Sequence, residues 1–537
     1  MNPNLFKLLQ KTACFVGAFF ILSCGTTANI LSTPIENIDL IPLKAVELTD
    51  TEEKEWSHLD LKKDTIPGIS LHKAYKELVN PKSKTVIVAV IDSGIDIDHE
   101  DLKDNIWVNG DEIPNNGKDD DNNGYIDDIN GWNFLGESNN EQLEYVRLVA
   151  KGDTTHPRYA EAKELLTKKR ESTSRLKTQY NGILAQLTAS DAAVAAYLKN
   201  PDYTKEEVEG VTTTDKALLQ HVSVVKQTYG YGFESIAAMK KELNRGLKSF
   251  NERLDYKLNV TFDGRKVVGD NPDDLNDHAY GDNDVRAKNG RTHGTHVSGI
   301  IAAKRNNGIG INGVANNVKI MAIRNTPSGD EYDKDVALGV YYAVDNGAKV
   351  INMSFGKEFS PHSDWVRDAI AYAAQKDVLI VAAAGNDGKN TDQKNYFPND
   401  QINNGTEVSN TFLKVGSNGP KYGSTLAASY SNYGKNTVDV FAPGSQIYST
   451  YPKNSYEFAS GTSMASPLVA GVAALIFSQY PNLSAAQVKQ ILMTSGIAIN
   501  KKVSLENGTV VPFSDLSKSG KIVNVYNALI MASKLSK

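Results

Sequence analysis

Thr85-Val86-Ile87-Val88-Ala89-Val90-Ile91-Asp92-Ser93-Gly94 is the stretch on which the fold turns. Residues 86–91 form an apolar run, mostly β-branched, with no polar alternation, the pattern of a strand buried on both faces of a parallel sheet. A carboxylate and a small-residue turn end the run, so Asp92 directly follows a buried strand. Similar runs recur at Val318–Ile323, Lys349–Asn352, Val378–Ala384 and Val438–Phe441. Helical patterns lie between or after them at Asp335–Asn346, Ser363–Gln375 and Met464–Gln479, and Ser484-Ala485-Ala486-Gln487 is a capping box opening Ala485–Thr494. Strands alternating with helices predict an α/β fold, a doubly wound and mostly parallel sheet.

One segment interrupts this rhythm. From about Asn140 to Tyr256 the chain is rich in Lys, Glu, Ala and Leu. Leu165, Leu166, Leu176, Tyr180, Ile183, Leu184 and Leu187 keep roughly helical spacing, and Glu164 and Lys168 form an i,i+4 pair. Two or more amphipathic helices are expected here, as a helical insertion over 140–270. The α/β domain would then be split into a first part, 64–139, and a second, 271–537.

The chain has 537 residues, 40% hydrophobic and 23% charged, a formal net charge of −6 and a pI near 5.9. This balance argues against a nucleic-acid partner, and no basic tract marks an anionic membrane surface. The N-terminus says more. Lys7 and Lys11 precede an apolar stretch from Thr12 to Ser23 that ends at Cys24-Gly25, the pattern of an export signal over 1–23. That stretch is short of the roughly 20 residues that span a bilayer core. Ile21-Leu22-Ser23-Cys24 resembles the lipobox of bacterial lipoproteins, which implies lipidation of Cys24 and a membrane anchor. Gly25 after the Cys points to the outer membrane where the cell has one. Residues 24–63 are polar and without clear periodicity, and read as a tether. Cys14 and Cys24 are the only cysteines, so a processed chain forms no internal disulfide.

Three motifs carry chemistry: Asp92 in Ile91-Asp92-Ser93-Gly94, His293 in His293-Gly294-Thr295-His296-Val297-Ser298-Gly299, and Ser463 in Gly461-Thr462-Ser463-Met464-Ala465-Ser466-Pro467. A serine hydroxyl is a poor nucleophile at neutral pH and needs a base within hydrogen-bond reach. Imidazole suits that role, and a carboxylate on its other nitrogen fixes the tautomer. Singly, each residue has an ordinary explanation: a cap, a structural histidine, a helix start. Together, in the order Asp, His, Ser, the motifs closely resemble the subtilisin-like serine proteases.

The resemblance covers about residues 64–135 and 271–535. It implies Ser463 as nucleophile, His293 as general base, Asp92 as its orienting carboxylate, and Asn386 in Ala383-Ala384-Gly385-Asn386 as oxyanion donor. Ile351-Asn352-Met353-Ser354-Phe355-Gly356 resembles the family strand that pairs with substrate backbone and lines the primary specificity pocket, so Ser354, Phe355 and Gly356 are expected to bind an extended polypeptide with an apolar or aromatic P1 side chain. His296 is expected to be structural. The expected activity is peptide-bond hydrolysis by a serine endopeptidase through an acyl-enzyme. Transfer of the acyl group to an amine (a transpeptidase or peptide cyclase) is one alternative, and an idle surface protein whose insertion binds a partner is another. Intact Asp92, His293, Asn386 and Ser463 argue against the idle reading.

His293 lies 201 positions after Asp92. Early in that span, oxygens at Asp119, Asp121, Asn123, the Tyr125 carbonyl and Asp127, with Gly124 turning the chain, match the first positions of an EF-hand-like loop. Position twelve is Asn130 rather than the bidentate Glu, so the loop is not a regular EF-hand. Asp/Asn-rich loops of this kind hold calcium in many larger members of the resembled family, which implies a structural calcium and no organic cofactor. A second acidic run, Asp273, Asp274, Asp277, Asp282 and Asp284, could add another site.

Overall fold

The computed structural model describes Lys44 and residues 47–536. The export signal, Cys24 and most of the expected tether lie outside these residues.

The apolar run is a strand as read: β1 (Val86–Asp92) is buried almost throughout. It belongs to a nine-stranded sheet with β2 (Gly131–Asn133), β3 (Val318–Arg324), β4 (Val350–Met353), β5 (Leu379–Ala383), β6 (Phe412–Asn418), β7 (Val440–Pro443), β8 (Ile497–Ala498) and β9 (Lys521–Ile522). The spatial order is β8-β9-β7-β6-β5-β4-β1-β3-β2. All pairings are parallel except β8 with β9. Val88 of β1 sits opposite Ile320 on one side and Val350 on the other, which makes β1 a central strand. From β1 the chain goes to the sheet edge as β2, returns as β3 beside β1, and then crosses to β4 on the other side of β1. The order reverses there, and ligands of open α/β sheets bind at the carboxyl ends of strands at such a switch.

Both faces of the sheet are covered, as continuous apolar strands require. One core layer holds Val88, Val381 and Leu413 with Leu468, Val472 and Ile491. The other holds Ile91, Ile351 and Ile380 with Val340 and Ile370.

The insertion is helical and larger than a hairpin. Its long members are α1 (Tyr159–Leu198), α2 (Lys216–Gly230) and α3 (Ile236–Glu252). They enclose a core of their own around Leu187, Val194, Val222, Val225 and Leu243. The segments that lead into and out of this unit meet: Leu143 N–H donates to Lys257 O at 3.0 Å, and Gln142 Nε2 donates to Asn259 O at 2.6 Å. Just beyond, buried Arg265 grips Asp335 at 2.5 and 2.7 Å and also Asp270, which pairs with buried Lys334 at 2.6 Å.

The tether expected over 24–63 is corrected at its end: from Thr49 onward the chain is docked structure. Thr49 and Glu52 form a capping box that starts the short helix Asp50–Glu55. Trp56 is then 1% exposed, and its indole N–H is shared between Ser445 O and Gln446 O at 3.1 Å each. Leu61, Ile66 and Ile69 are buried behind it. The segment reads as polar because a handful of large side chains do all the docking while the outer face stays charged.

Candidate active site

The carboxyl end of β1 delivers Asp92, which is 1% exposed. Both its carboxylate oxygens accept from His293 Nδ1, at 2.8 and 2.9 Å, and Oδ1 also takes the Ser93 N–H at 2.7 Å. His293 opens α4 (His293–Ala302). Gly294 follows because any side chain there would strike Gly94 O; only glycine lets the helix start come this close to the strand end. The His293 side chain keeps 40% of its surface open. Partial burial works against its charged form, but the Asp92 charge and hydrogen bond outweigh that and hold the imidazole pKa above its ordinary value.

His296, one turn on, has the opposite setting. It is buried, and its Nε2 faces Ile447 O and Glu457 O at 3.1 Å each. Burial pushes its pKa down to about 4. It ties α4 to the hairpin of Ile447–Tyr451 and Ser455–Ala459 and has no route to the proton chemistry.

Ser463 lies in the first turn of α5 (Thr462–Gln479). Its Oγ donates to Ser354 O at 2.9 Å, and Ser354 Oγ donates back to Ser463 O at 2.9 Å. The second bond has a local cause: Pro467, four residues on, has no N–H to give the Ser463 carbonyl, and the Ser354 hydroxyl fills the gap. In this state no hydrogen bond joins Ser463 to His293 among the described residues; the hydroxyl proton goes to Ser354 O. The structure therefore joins two members of the expected triad, Asp92 and His293, directly, while the third, Ser463, meets Ser354.

Asn386 follows β5 and Gly385, which has φ +102°. Its Oδ1 accepts from both the backbone N–H and the hydroxyl of Thr462, at 2.8 and 3.0 Å. Thr462 is also the acceptor for the Gly385 N–H at 3.1 Å. Thr462 thus fixes which way the Asn386 amide faces and leaves Nδ2 as the free end. Sequence reasoning missed this role, although Thr462 sits in the serine motif itself.

The segment Ser354–Gly356 corrects the expected strand. β4 ends at Met353, and Ser354, Phe355 and Gly356 run on beyond the sheet. Ser354 is buried and also takes a hydrogen bond from Asn352 Nδ2 at 3.0 Å. Phe355 packs against the second core layer.

The acidic loop is organised differently from an EF-hand. Asp127 turns its carboxylate to the backbone N–H groups of Asn116 and Gly117, at 3.1 and 2.8 Å, and Asn123 Oδ1 is taken by the Tyr125 N–H at 2.8 Å. The Tyr125 ring packs into the core against Trp132 and Tyr342. Asp119 and Asp121 instead converge with Glu112, one oxygen of each lying within 4.8 Å of the others. Glu112 was outside the sequence pattern. Its Oε2 is buried with no hydrogen-bond partner, an orphaned anionic oxygen that fits a hard divalent cation with oxygen ligands. The second acidic run is answered by cations and amides: Asp273 meets Lys151 at 2.8 Å, Asp277 meets Lys334 at 3.7 Å, Asp284 meets Lys288 at 3.4 Å, and Asp282 accepts from Asn133 at 2.7 Å.

The profile of the peptidase S8 (subtilase) family matches residues 83–513. A thermophilic serine proteinase from Bacillus sp. (strain AK1) is 38% identical over 277 residues, 51% of this chain and 59% of its own length. Thermitase from Thermoactinomyces vulgaris is 44% identical over 201 residues, 37% of this chain and 65% of its own length. The chain thus spans about three fifths to two thirds of these two relatives. Subtilisin DY from Bacillus licheniformis is 36% identical over 285 residues, 50% of this chain and 92% of its own length. The chain belongs to the subtilase family.

Proposed function

We propose that this chain is a serine endopeptidase that hydrolyses polypeptides through an acyl-enzyme on Ser463. The observation that carries the reading is the double contact of Asp92 on His293 Nδ1, which leaves Nε2 as the basic nitrogen on the open edge of the ring. When substrate enters, Ser463 Oγ turns about its Cα–Cβ bond from Ser354 O to His293 Nε2. The imidazole takes the hydroxyl proton as Oγ bonds to the scissile carbonyl carbon, and Asp92 balances the imidazolium. Negative charge gathers on the former carbonyl oxygen, where Asn386 Nδ2 and the unpaired Ser463 N–H at the start of α5 donate to it. Return of the proton to the leaving amine breaks the peptide bond. Water, activated by the same imidazole, then releases the acyl group. Ser463→Ala should abolish labelling by a fluorophosphonate probe while the circular dichroism spectrum is kept. Undiminished labelling would put the nucleophile elsewhere.

In this reading the protein is exported and held in the bacterial envelope, on the outer membrane, by lipid on Cys24. Support comes from the signal pattern and Ile21-Leu22-Ser23-Cys24, which lie outside the described residues. Cys24→Ser should move the protein from the membrane fraction to the soluble or unprocessed one. Wild-type protein with an unmodified N-terminus would overturn the anchor.

Glu112, Asp119 and Asp121 would hold a calcium ion that neutralises three converging carboxylates. The ion would supply stability and no catalytic group, since none of the three belongs to the motifs around Ser463.

A further inference from the structure

Between the helical unit and the catalytic body lies a cleft of about 630 Å³, within the size range of ligand sites. Its body wall includes Asn140, Asn289 and Arg291. Arg291 stands two residues before His293. Asn139 O and Glu141 N–H, on either side of Asn140, are hydrogen-bonded to Ser328. Ser328 belongs to the segment whose Asn325 and Thr326 N–H groups both donate to Asp92 O. The body wall therefore borders the stretches of chain that present Asp92 and His293.

The opposite wall comes from two helices. α1 contributes Lys177, Asn181 and Leu184, at i, i+4 and i+7 of one face, and α3 contributes Asn244, Lys248 and Asn251 in the same pattern. The two helices run close together here: a Cβ built on Gly246 would lie 2.6 Å from Tyr180 Cε1. α3 then passes into a π-helical turn, Arg253–Lys257, which carries Asp255 and Tyr256 to the cleft. Such turns often accompany functional sites.

The polar groups of the cleft are under-used. The amides of Asn181, Asn244, Asn251 and Asn289 make no hydrogen bond among the described residues. Each carboxamide carries a donor beside an acceptor, the same pair that a peptide group presents. Arg291 Nε is buried without a partner, and the Nη2 contacts to Asn139 O and Asn140 Oδ1 are long, 3.3 and 3.4 Å. Lys177, Lys248 and Arg291 share the cleft with Glu252 and Asp255, so the charges nearly cancel. That balance disfavours a phosphate or a nucleic acid. Tyr256, the one ring in the wall, already packs edge-on against Phe262 instead of lying open as a platform for a sugar. A nearly neutral, amide-lined cleft beside a peptidase site fits the main chain of an extended polypeptide.

We propose that this cleft is a second polypeptide-binding site, which holds a stretch of the substrate remote from the scissile bond through Asn181, Asn244, Asn251, Asn289 and Arg291. The proposal rests on the serine-peptidase reading above and adds to it. Long unfolded chains are favoured over short peptides, with little regard to the sequence of the remote stretch. The amides hold substrate and take no part in breaking the bond.

The test compares a short cleavable peptide with the same peptide lengthened at either end by a tail of about twelve Gly, Ser, Thr and Gln residues, roughly 40 Å when extended. One of the two extensions should raise kcat/KM at least about tenfold, chiefly through KM, as two ordinary hydrogen bonds made equally in ground and transition states would do. Asn244→Ala/Asn251→Ala should bring the long-to-short ratio close to one. Asn181→Ala/Asn289→Ala gives the same reading if the first pair does not fold. In the inactive Ser463→Ala form, fluorescence anisotropy of the labelled tail alone should show binding that these substitutions weaken. A wild type that treats short and long peptides alike, or a length gain that survives both double variants, overturns the site. So does amide-dependent binding of maltohexaose, a neutral sugar probe, with no binding of the tail. Absence of cleavage and of Ser463-dependent fluorophosphonate labelling, with tail binding kept, defeats the peptidase reading and leaves the cleft standing as a polypeptide site.

Discussion

Asn386 Oδ1 accepts both the backbone N–H and the hydroxyl of Thr462, the residue immediately before Ser463. The proposed oxyanion donor and the proposed nucleophile are therefore set by one short stretch of chain, and the amide cannot flip without losing both of these bonds. Asn386→Ala should lower kcat by about 100- to 1000-fold with little change in KM, because the amide acts on charge that exists only in the transition state. Steady-state kinetics on a peptide substrate that the wild type cleaves would check this. A raised KM with unchanged kcat would make Asn386 a binding residue.

With His293 as the proposed base, the Asp92–His293 pair should set the acid limb of the pH–rate profile. The imidazole must be neutral to accept the serine proton, and its pKa is raised. Activity should accordingly rise with pH through a value above the ordinary imidazole range of about 6.5. Asp92→Asn should move that limb toward acid and lower kcat by about 10⁴-fold, since the wrong tautomer then faces the serine. Rates of the two forms from pH 5 to 9 would read both effects. A limb that stays in place would show that Asp92 does not set the charge state of His293.

Calcium should raise the melting temperature of the inactive Ser463→Ala form, in which self-cleavage cannot interfere. An ion bound only by the native state stabilises by about 2.7 kcal/mol at 100 times Kd. Both Asp121→Ala and Glu112→Gln should erase most of that shift, whereas Asp127→Asn should leave its calcium dependence in place, because that carboxylate serves backbone N–H groups. Equal melting curves with calcium and with chelator would reduce the cluster to a hydrated turn.

Trp56→Ala should cost about 3–5 kcal/mol, the range for emptying a buried aromatic site. Thermal or urea melts of Ser463→Ala with and without the change would measure it. A loss below about 0.5 kcal/mol, the scale of surface substitutions, would return this segment to the status of a tether.

β1 was legible almost to the residue, because a strand buried on both faces leaves no room for polar side chains. The residues around Asp92, His293 and Ser463 were legible for a related reason: each motif must combine a reactive side chain with glycine or small neighbours at a strand end or helix start. β6 escaped notice. Lys414, Gly416, Ser417 and Asn418 break its apolar pattern, yet all are buried. Lys414 Nζ reaches Tyr396 O, and Ser417 Oγ meets the Tyr430 hydroxyl at 2.9 Å. Glu112 lies outside the Asp/Asn run and joins Asp119 and Asp121 only through the turn between them. Tyr396 carries no motif at all: its ring lies where Cβ atoms on Gly356 and Gly385 would fall. Local pattern reveals elements and motifs; it is silent where distant residues share a space.

The hydrogen bond from Leu143 to Lys257 makes the point of departure and the point of return of the helical unit near neighbours. The sheet therefore meets this long excursion as it would meet a tight turn, and the cost of closing a loop grows only slowly with its length. The buried Glu144 and Arg147 just inside that doorway belong to the frame, where they bind Lys357 and the carbonyls of Asp330 and Glu331; the long helices farther out, with a core of their own, work like a tool on a socket that can be lengthened, trimmed or exchanged while the frame that aligns Asp92 with His293 keeps its shape.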